Sequence, residues 1–248
     1  MSETILSRNN PHIKELALLK KGDPSLFLVE GHHLVEMAFE ADLLEEVLCL
    51  KDPCLKGVRT ILTSEEVIAK LAFSKSPEPI IGVCRKVNKS DLSSERILLL
   101  DRVQDPGNVG TLLRTALAFS FGTVLSIKGS ASFYNPKTIA SSQGAIFKLG
   151  LEEGLEEEEA LALLKEKGYY LLGSSLEGGR PFDEISLPPK LCLILGNEGQ
   201  GMSERLKRGS DALSYIPISN IDSLNVGVAG GILMQYVNSL LTKGNGRP

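Results

Sequence analysis

Arg114 is the only charge in the run "NVGTLLRTALAF", residues 108–119. Val109, Leu112, Leu113, Ala116 and Leu117 recur at helical spacing and make one apolar stripe. Arg114 falls off that stripe. Its neighbours one turn away, Gly110 and Ala118, are small. The guanidinium therefore stands either as a solvated surface charge or on a flank that a ligand or another chain can approach closely. Ahead of it, Asp105-Pro106-Gly107 reads as a tight turn, because Pro fixes φ and Gly tolerates positive φ. Asn108 then falls at the expected N-cap of a helix over 109–120.

Two further stretches carry polar groups in similar settings. "LILGNEGQGMS", residues 193–203, follows a fully apolar run and sets Glu198 among Gly196, Gly199 and Gly201. Those glycines let the backbone bend against a flat ligand. Their order is neither GxGxxG nor a phosphate-binding P-loop, which disfavours a dinucleotide site. "IPISNIDSLNVGVAGGI", residues 216–232, places Ser219, Asn220, Ser223 and Asn225 around a helix start. Capping accounts for one or two of them. Gly227, Gly230 and Gly231 then lie inside the helix, each at a cost of about 0.5–1 kcal/mol against Ala. Close packing of another helix, or of the same helix from a second subunit, would justify that cost.

The elements that must position these residues alternate between strand and helix. From residue 95 onward, "RILLLD", "TVLSIKG", "YYLLGSS", "LCLILG" and "LSYIPI" read as strands. Helices are expected at 109–120, at "NPKTIASSQGAI", at 156–167, at "SERLKRG" and from about Leu224 to Leu241. Apolar strands separated by helices predict a parallel sheet covered on both faces. In such sheets ligands collect outside the carboxyl ends of the strands, and all three polar stretches fall at such ends.

Residues 1–85 form an earlier block of the same α/β kind. "SRNNPHIKELALLKKG" reads as a helix capped by Asn9 or Asn10, with Pro11 in its first turn. "LFLVEG", "EEVLCL", "RTILT" and "PIIGVCR" supply strands; "HHLVEMAFEAD" and "SEEVIAKLA" supply helices. Residues 86–94, "KVNKSDLSS", lack apolar periodicity and read as a linker. The expected division is 1–85, linker 86–94, and 95–248.

The 248 residues carry a net charge of −4, which argues against a generally basic nucleic-acid binder. The charge is uneven, however. "EEGLEEEE", residues 152–159, holds six glutamates, and apart from these the region from residue 91 onward is net basic. A local basic surface is therefore compatible with the composition. No apolar run approaches the roughly 18 residues that a membrane helix needs, and the N-terminus lacks a signal-peptide core. Both predict a cytoplasmic protein with no membrane partner. Cys49, Cys54, Cys84 and Cys192 form no CxxC pair and no histidine stands at metal-ligand spacing from them; reduced, mostly buried thiols and no metal site are expected.

Taken together, in this order and spacing, the three stretches resemble the three motifs of the SpoU (TrmH-type) 2′-O-ribose RNA methyltransferases of the SPOUT class. The first matches through Asn108, Gly110 and Arg114, the second through Gly196, Glu198 and Gly201, the third through Ser223, Leu224 and Asn225. The N-terminal block, through "NPHIKELALLKK" and "LFLVEG", is similar to the L30e-like substrate-binding domain that often precedes this catalytic domain. One position departs from the pattern. After Asn225 the family usually continues Val-Ser-Val-Ala, and here Val226-Gly227-Val228-Ala229 stands.

The resemblance implies a deep trefoil knot in the C-terminal sheet, S-adenosylmethionine bound there, an obligate homodimer, and RNA as substrate. Ribosomal RNA is expected first and transfer RNA second. It implies catalytic roles for Arg114, Asn108, Glu198, Ser223 and Asn225. It also implies backbone or side-chain contact to the cofactor from Ser174, Ser175, Leu195, Gly196, Asn197, Gly201, Ile216, Ile218 and Leu224. Arg8, Lys14, Lys20, Lys21 and Lys137 are candidates for RNA phosphate contact. Arg114 is read either as a general base or as the group that holds a phosphate and stabilises developing alkoxide; an always-protonated guanidinium favours the second. Two rival functions remain at this level. One is a catalytically silent RNA binder on the same scaffold, which would be expected to lose Asn108, Arg114 or Glu198. The other is a nucleotide-dependent oxidoreductase, which would carry GxGxxG after its first strand.

Overall fold

The computed structural model describes residues 3–86 and 92–244. Residues 87–91 of the expected linker lie outside the described residues. The chain divides into two compact units, Met1–Val87 and Asn88–Pro248.

The first unit runs β1 (Glu3–Ile5), α1 (Pro11–Leu18), β2 (Leu26–Glu30), α2 (His32–Glu40), β3 (Leu44–Cys49), β4 (Arg59–Thr63), α3 (Glu65–Leu71) and β5 (Ile80–Arg85). Its sheet has the order β1-β4-β3-β5-β2. β4 is parallel to both neighbours, whereas β5 is antiparallel to β3 and β2. Strand β1 was not expected, because three residues are too few to show a period. It is held from outside: its backbone pairs with β4, and the Thr63 hydroxyl donates to the Ile5 carbonyl at 2.6 Å. Asn10 caps α1 by accepting from the His12 amide at 2.9 Å, and Pro11 opens the helix. Ile13 and Leu16 then drop into a core with Leu28, Leu48, Ile61 and Ile81.

The second unit runs β6 (Arg96–Leu100), α4 (Pro106–Ala118), β7 (Thr123–Ile127), α5 (Pro136–Ser142), β8 (Gly150–Leu155), α6 (Glu157–Glu166), β9 (Tyr170–Ser174), β10 (Arg180–Pro181), β11 (Leu191–Leu195), α7 (Glu204–Gly209), β12 (Ala212–Tyr215) and α8 (Val226–Gly244). Its seven strands have the order β10-β12-β9-β11-β6-β7-β8 and every pair is parallel. The apolar strands are buried on both faces because successive side chains point to opposite sides. Ile97, Leu99, Cys192 and Ile194 pack with Ala160 and Leu164 of α6 and Leu206 of α7. Leu195 points to the other face, where α8 lies against α4.

Two expectations are corrected here, and one strand is added. The helix with Arg114 begins at Pro106, so Pro-Gly is absorbed into its first turn instead of forming a separate turn before it. Proline is suited to that place, since a first-turn N–H has no intrahelical partner to lose. The "PKTIASS" helix stops at Ser142, because Gln143 and Gly144 both adopt positive φ. The acidic stretch is half strand: Glu152 and Glu153 lie on edge strand β8, where charge discourages pairing with another chain.

The chain passes from β11 to β12 on the far side of β9, and then returns in α8 to pack on α4. The carboxyl ends of β12, β9, β11 and β6 consequently stand side by side. The loops that leave them are 216–225, 175–179, 196–203 and 101–105.

Candidate active site

Asp105, and not Asn108, caps α4. Its Oδ1 accepts from the Asn108 amide at 2.9 Å, and its Oδ2 accepts from Lys137 Nζ at 2.8 Å. The signal was legible: an Asp directly before a Pro is a helix-start pair. Relieved of capping, the Asn108 side chain points across the strand ends. Its Nδ2 donates to Glu198 Oε1 at 3.1 Å, and its Oδ1 accepts from Asn225 Nδ2 at 3.0 Å. One carboxamide thus joins residues of all three polar stretches.

Glu198 reaches this position because its loop is folded tightly. The Asn197 backbone exchanges two hydrogen bonds with Gly201, at 3.0 and 2.9 Å, and Asn197 Oδ1 accepts from the amides of Gly199 and Gln200. Gly201 takes φ +69°, which favours glycine. At Gly196 a Cβ would stand 2.3 Å from the Gly201 carbonyl carbon, so no other residue fits there without shifting the loop. From the loop, Glu198 also accepts from the amides of Gln104 and Asp105, at 3.2 and 3.3 Å. Burial by itself would raise the Glu198 pKa. The hydrogen bonds from Asn108 and from the amides of Glu198, Gln104 and Asp105 outweigh it and hold the carboxyl below its ordinary 4.5. Glu198 is accordingly an anion at neutral pH.

Asn225 is the cap of α8, its Oδ1 accepting from the amides of Gly227 and Val228 at 2.9 and 3.2 Å. The cap is complete without a hydroxyl at position 227. Behind it, a Cβ on Gly230 would stand 2.4 Å from Leu112 Cδ2 and 2.7 Å from Leu195 Cδ1. Glycine there is what lets α8 close on α4 and on the end of β11. Gly110 does the same on the opposite flank, where a Cβ would meet the Thr138 carbonyl of α5 at 2.5 Å. The clearance beside Arg114 at Gly110 is therefore used by α5 of the same chain, and is not open to a ligand.

Arg114 lies on the exposed side of α4, six residues beyond Asn108, and no hydrogen bond or ion pair from the described residues holds it. Neither Asn108 nor Glu198 contacts it. Ser223 is exposed in the loop before Asn225.

The expected cofactor residues divide into two groups. Asn197 uses both ends of its carboxamide to hold the loop, since Nδ2 donates to the Arg102 carbonyl at 2.7 Å while Oδ1 receives the loop amides. Leu195 is buried and its carbonyl accepts from the Asp101 amide. The Ser175 amide and hydroxyl are taken by the carbonyls of Ser214 and Glu177. Ser174, Gly196, Gly201, Ile216, Ile218 and Leu224 stay partly or fully accessible along the strand ends.

The expected RNA-contact residues divide similarly. Lys20 caps the end of α3, donating to the carbonyls of Ala72 and Lys70 at 2.6 and 3.3 Å, with Phe73 beneath it. Lys137 is tied to Asp105. Arg8, Lys14 and Lys21 are exposed.

Other sequence expectations concern the thiols and metals. Cys49, Cys84 and Cys192 are buried and Cys54 is exposed, all four unpaired. Burial pushes the Cys49 thiol up to about 11, and pushes Cys84 and Cys192 up as well. None of these three is an ionised nucleophile at neutral pH. Among the described residues no cluster of His, Cys, Asp or Glu is built to hold a metal ion, and no helix is long and apolar enough to cross a membrane.

The chain has counterparts among known proteins. The model of the SpoU rRNA Methylase family matches residues 95–235. The 23S rRNA (guanosine(2553)-2′-O)-methyltransferase RlmP of Bacillus subtilis is 31% identical over 94% of this chain and 98% of its own. The 23S rRNA (guanosine-2′-O-)-methyltransferase RlmB of Coxiella burnetii is 30% identical over 73% of this chain and 77% of its own. A solved structure of an AdoMet-bound rRNA methyltransferase from Sinorhizobium meliloti superposes with a TM-score of 0.88 over 97% of this chain and 98% of that one, at 23% identity, which speaks for the fold. With its three motif residues joined at the strand ends, and with relatives matching over nearly its whole length, the chain belongs to the SpoU rRNA methylase family.

Proposed function

We propose that this protein methylates a ribose 2′-hydroxyl of RNA, ribosomal RNA in the first place, using S-adenosylmethionine and acting as a homodimer. The observation that carries the reading is the Asn108 carboxamide, which ties Glu198 to Asn225. It is supported by relatives named as 23S rRNA 2′-O-methyltransferases.

The residues at the strand ends fit the cofactor chemically. Loops 175–179, 196–203 and 216–225 contain Glu177, Glu198 and Asp222 and not one Lys or Arg. Of these, Glu177 is paired with Lys207 at 3.0 Å, which leaves Glu198 and Asp222 to attract a sulfonium. Leu176, Ile218 and Ile221 expose apolar side chains on the same loops, suited to an adenine face. Gly201 has open space where a Cβ would stand. Gly196, Gly201, Ile216, Ile218 and Leu224 are the residues assigned to hold it, chiefly by backbone groups. When bound, S-adenosylmethionine supplies an electrophilic methyl group.

The protein's part is orientation and charge. Arg114 brings a cationic guanidinium, a set of donors with no acceptor. It holds an RNA phosphate and stabilises the negative charge that grows on the ribose oxygen as the hydroxyl proton passes to solvent. Asn108, fixed on both sides, presents its carboxamide edge to the ribose. Glu198 keeps Asn108 in one orientation, with Nδ2 toward the carboxylate and Oδ1 toward Asn225. Ser223 shapes the loop between cofactor and nucleotide. Arg8, Lys14 and Lys21 meet phosphates farther along the RNA. Val228 and Ile232, one turn apart on α8, expose apolar side chains on which a second copy docks.

Purified protein is incubated with labelled S-adenosylmethionine and unmodified 23S rRNA, with transfer RNA in parallel, and products are mapped for 2′-O-methyl groups. Methylation of 23S rRNA is expected, with sedimentation at twice the monomer mass. No transfer to any RNA, together with no cofactor binding by calorimetry, overturns the reading.

A further inference from the structure

The described residues include one fully buried carboxyl group beside this site that none of the three motifs contains. Asp101 is 0% exposed, at the carboxyl end of β6. Its Oδ2 accepts from the Ser203 amide at 2.6 Å, and its Oδ1 accepts from Arg102 Nε at 2.9 Å. Its own amide donates to the Leu195 carbonyl at 2.8 Å. The next residue continues the pattern, its carbonyl accepting from Asn197 Nδ2 at 2.7 Å. Two consecutive residues just past the end of β6 therefore grip loop 196–203 at both ends: Leu195 and Asn197 where it leaves β11, and Ser203 where it enters α7. Glu198 lies between these grips.

We propose that Asp101 is a positioning residue for methyl transfer, acting through the 196–203 loop to set Glu198 against Asn108. This rests on the functional reading above and extends it to a residue outside the recognised motifs. Burying a carboxylate is costly unless it is paired and hydrogen-bonded. A loop that needed only to connect β11 to α7 would be served by the Ser203 cap alone. What the charge adds is a fixed loop path: Oδ2 holds the Ser203 amide, while the Arg102 guanidinium, 2.9 Å from Oδ1 and 3.5 Å from Oδ2, holds the carboxylate itself. Those donors, the Ser203 amide and the Arg102 guanidinium, also explain why the isosteric amide is no substitute. An Asn at 101 must turn its NH2 toward one of two groups that can only donate.

The test is Asp101→Asn, with Ser203→Ala as a control. The control removes the cap hydroxyl that accepts from the Leu206 amide at 3.2 Å, but keeps the Ser203 N–H that Asp101 receives. Assays use full-length protein with 23S rRNA and labelled S-adenosylmethionine, below the unfolding temperature of each variant. Asp101→Asn is expected to lower kcat by roughly 10- to 100-fold, the scale of a small misplacement of an active-site group. Its KM for RNA should stay within about threefold, because the phosphate-binding cations lie on other segments. Ser203→Ala is expected to melt earlier and to keep its kcat. A kcat of Asp101→Asn within about twofold of wild type overturns the proposal, as does an equal loss of kcat in Ser203→Ala. Should Asp101→Asn not fold, Asn197→Asp breaks the other grip by setting a carboxylate oxygen against the Arg102 carbonyl, and must show the same loss of kcat. Amide hydrogen exchange at Gly199, Gln200 and Gly201 is read alongside: faster exchange in Asp101→Asn is expected, and unchanged exchange overturns the clamp. If wild-type protein transfers no methyl group, the functional reading fails, while the exchange measurement still decides the clamp.

Discussion

The Asn225 carboxamide donates to Asn108 Oδ1 at 3.0 Å, across 117 positions of chain. Each residue sits at the start of a long helix, Asn225 as the cap of α8 and Asn108 in the first turn of α4. The bond therefore fixes two helix beginnings against each other. It also leaves Asn108 no freedom to flip, since its other edge faces the Glu198 carboxylate.

Arg114 is exposed and has no hydrogen-bond or ion-pair partner among the described residues, so its removal should leave the fold and the cofactor loops intact. Arg114→Ala is expected to lose methyl transfer by about 100-fold or more, the scale of a lost transition-state charge contact. Cofactor affinity by calorimetry should stay within a few-fold. Arg114→Lys should recover little, because an ammonium cannot make the forked contact of a guanidinium. Full activity in Arg114→Ala would remove Arg114 from the mechanism.

Asn108→Asp replaces the donor facing Glu198 with a second carboxylate. Two like charges at this distance disfavour each other, and one acid takes up a proton above its usual range. The variant should have lost most activity at about pH 8 and should approach wild type as the pH is lowered toward about 5. A pH–rate profile parallel to that of wild type would show that the Asn108–Glu198 bond does not govern the site.

Glu198 supplies a pH dependence of stability. Its folded pKa lies below the ordinary 4.5, so the folded state favours the ionised form. The stabilisation is present above the unfolded value and is lost as pH falls through the lower, folded value. Glu198→Gln should melt earlier than wild type at neutral pH, and the gap should close as pH falls below about 4.5. Thermal unfolding of both proteins across that range is the measurement. A gap that is constant with pH would deny the carboxylate its role.

Gly230→Ala sets two terms in opposition. Alanine improves helix propensity by roughly 0.5–1 kcal/mol. Its Cβ, however, would stand 2.4 Å from Leu112 and 2.7 Å from Leu195, both buried. Overpacking of this kind costs about 1–3 kcal/mol, so the melting temperature should fall by about 2–6 °C. A higher melting temperature would mean that α8 and α4 are less closely packed than described.

Much of the site was legible before the fold. Short apolar runs such as "RILLL" and "LCLIL", bounded by turn residues, read as strands buried on both faces, and that set the polar stretches at strand ends. The glycines inside α8 announced close packing because their helix penalty demands a reason. What stayed hidden was which partner did the packing. At Gly230 it is α4 and at Gly110 it is α5, both from the same chain, since local spacing says how near a neighbour comes and not which neighbour it is. The capping role of Asp105 was written in Asp-Pro and was masked by the competing turn signal of Pro-Gly.

The sequence by itself determined the elements, the location of the polar stretches and the family they match, because periodicity, capping chemistry and motif spacing are local properties. Only the tertiary structure decided how the candidates divide. Lys20, Ser175 and Asn197 are spent on holding the fold, Arg114 is left free, and Asp101, unnoticed at the end of an apolar strand, grips the loop that bears Glu198. The reason is that a polar side chain is committed or available according to the donors and acceptors around it. In this chain those partners lie as far as 102 positions away for Asp101 and 117 for Asn108, and only the crossing of β11, β12 and α8 brings them within reach.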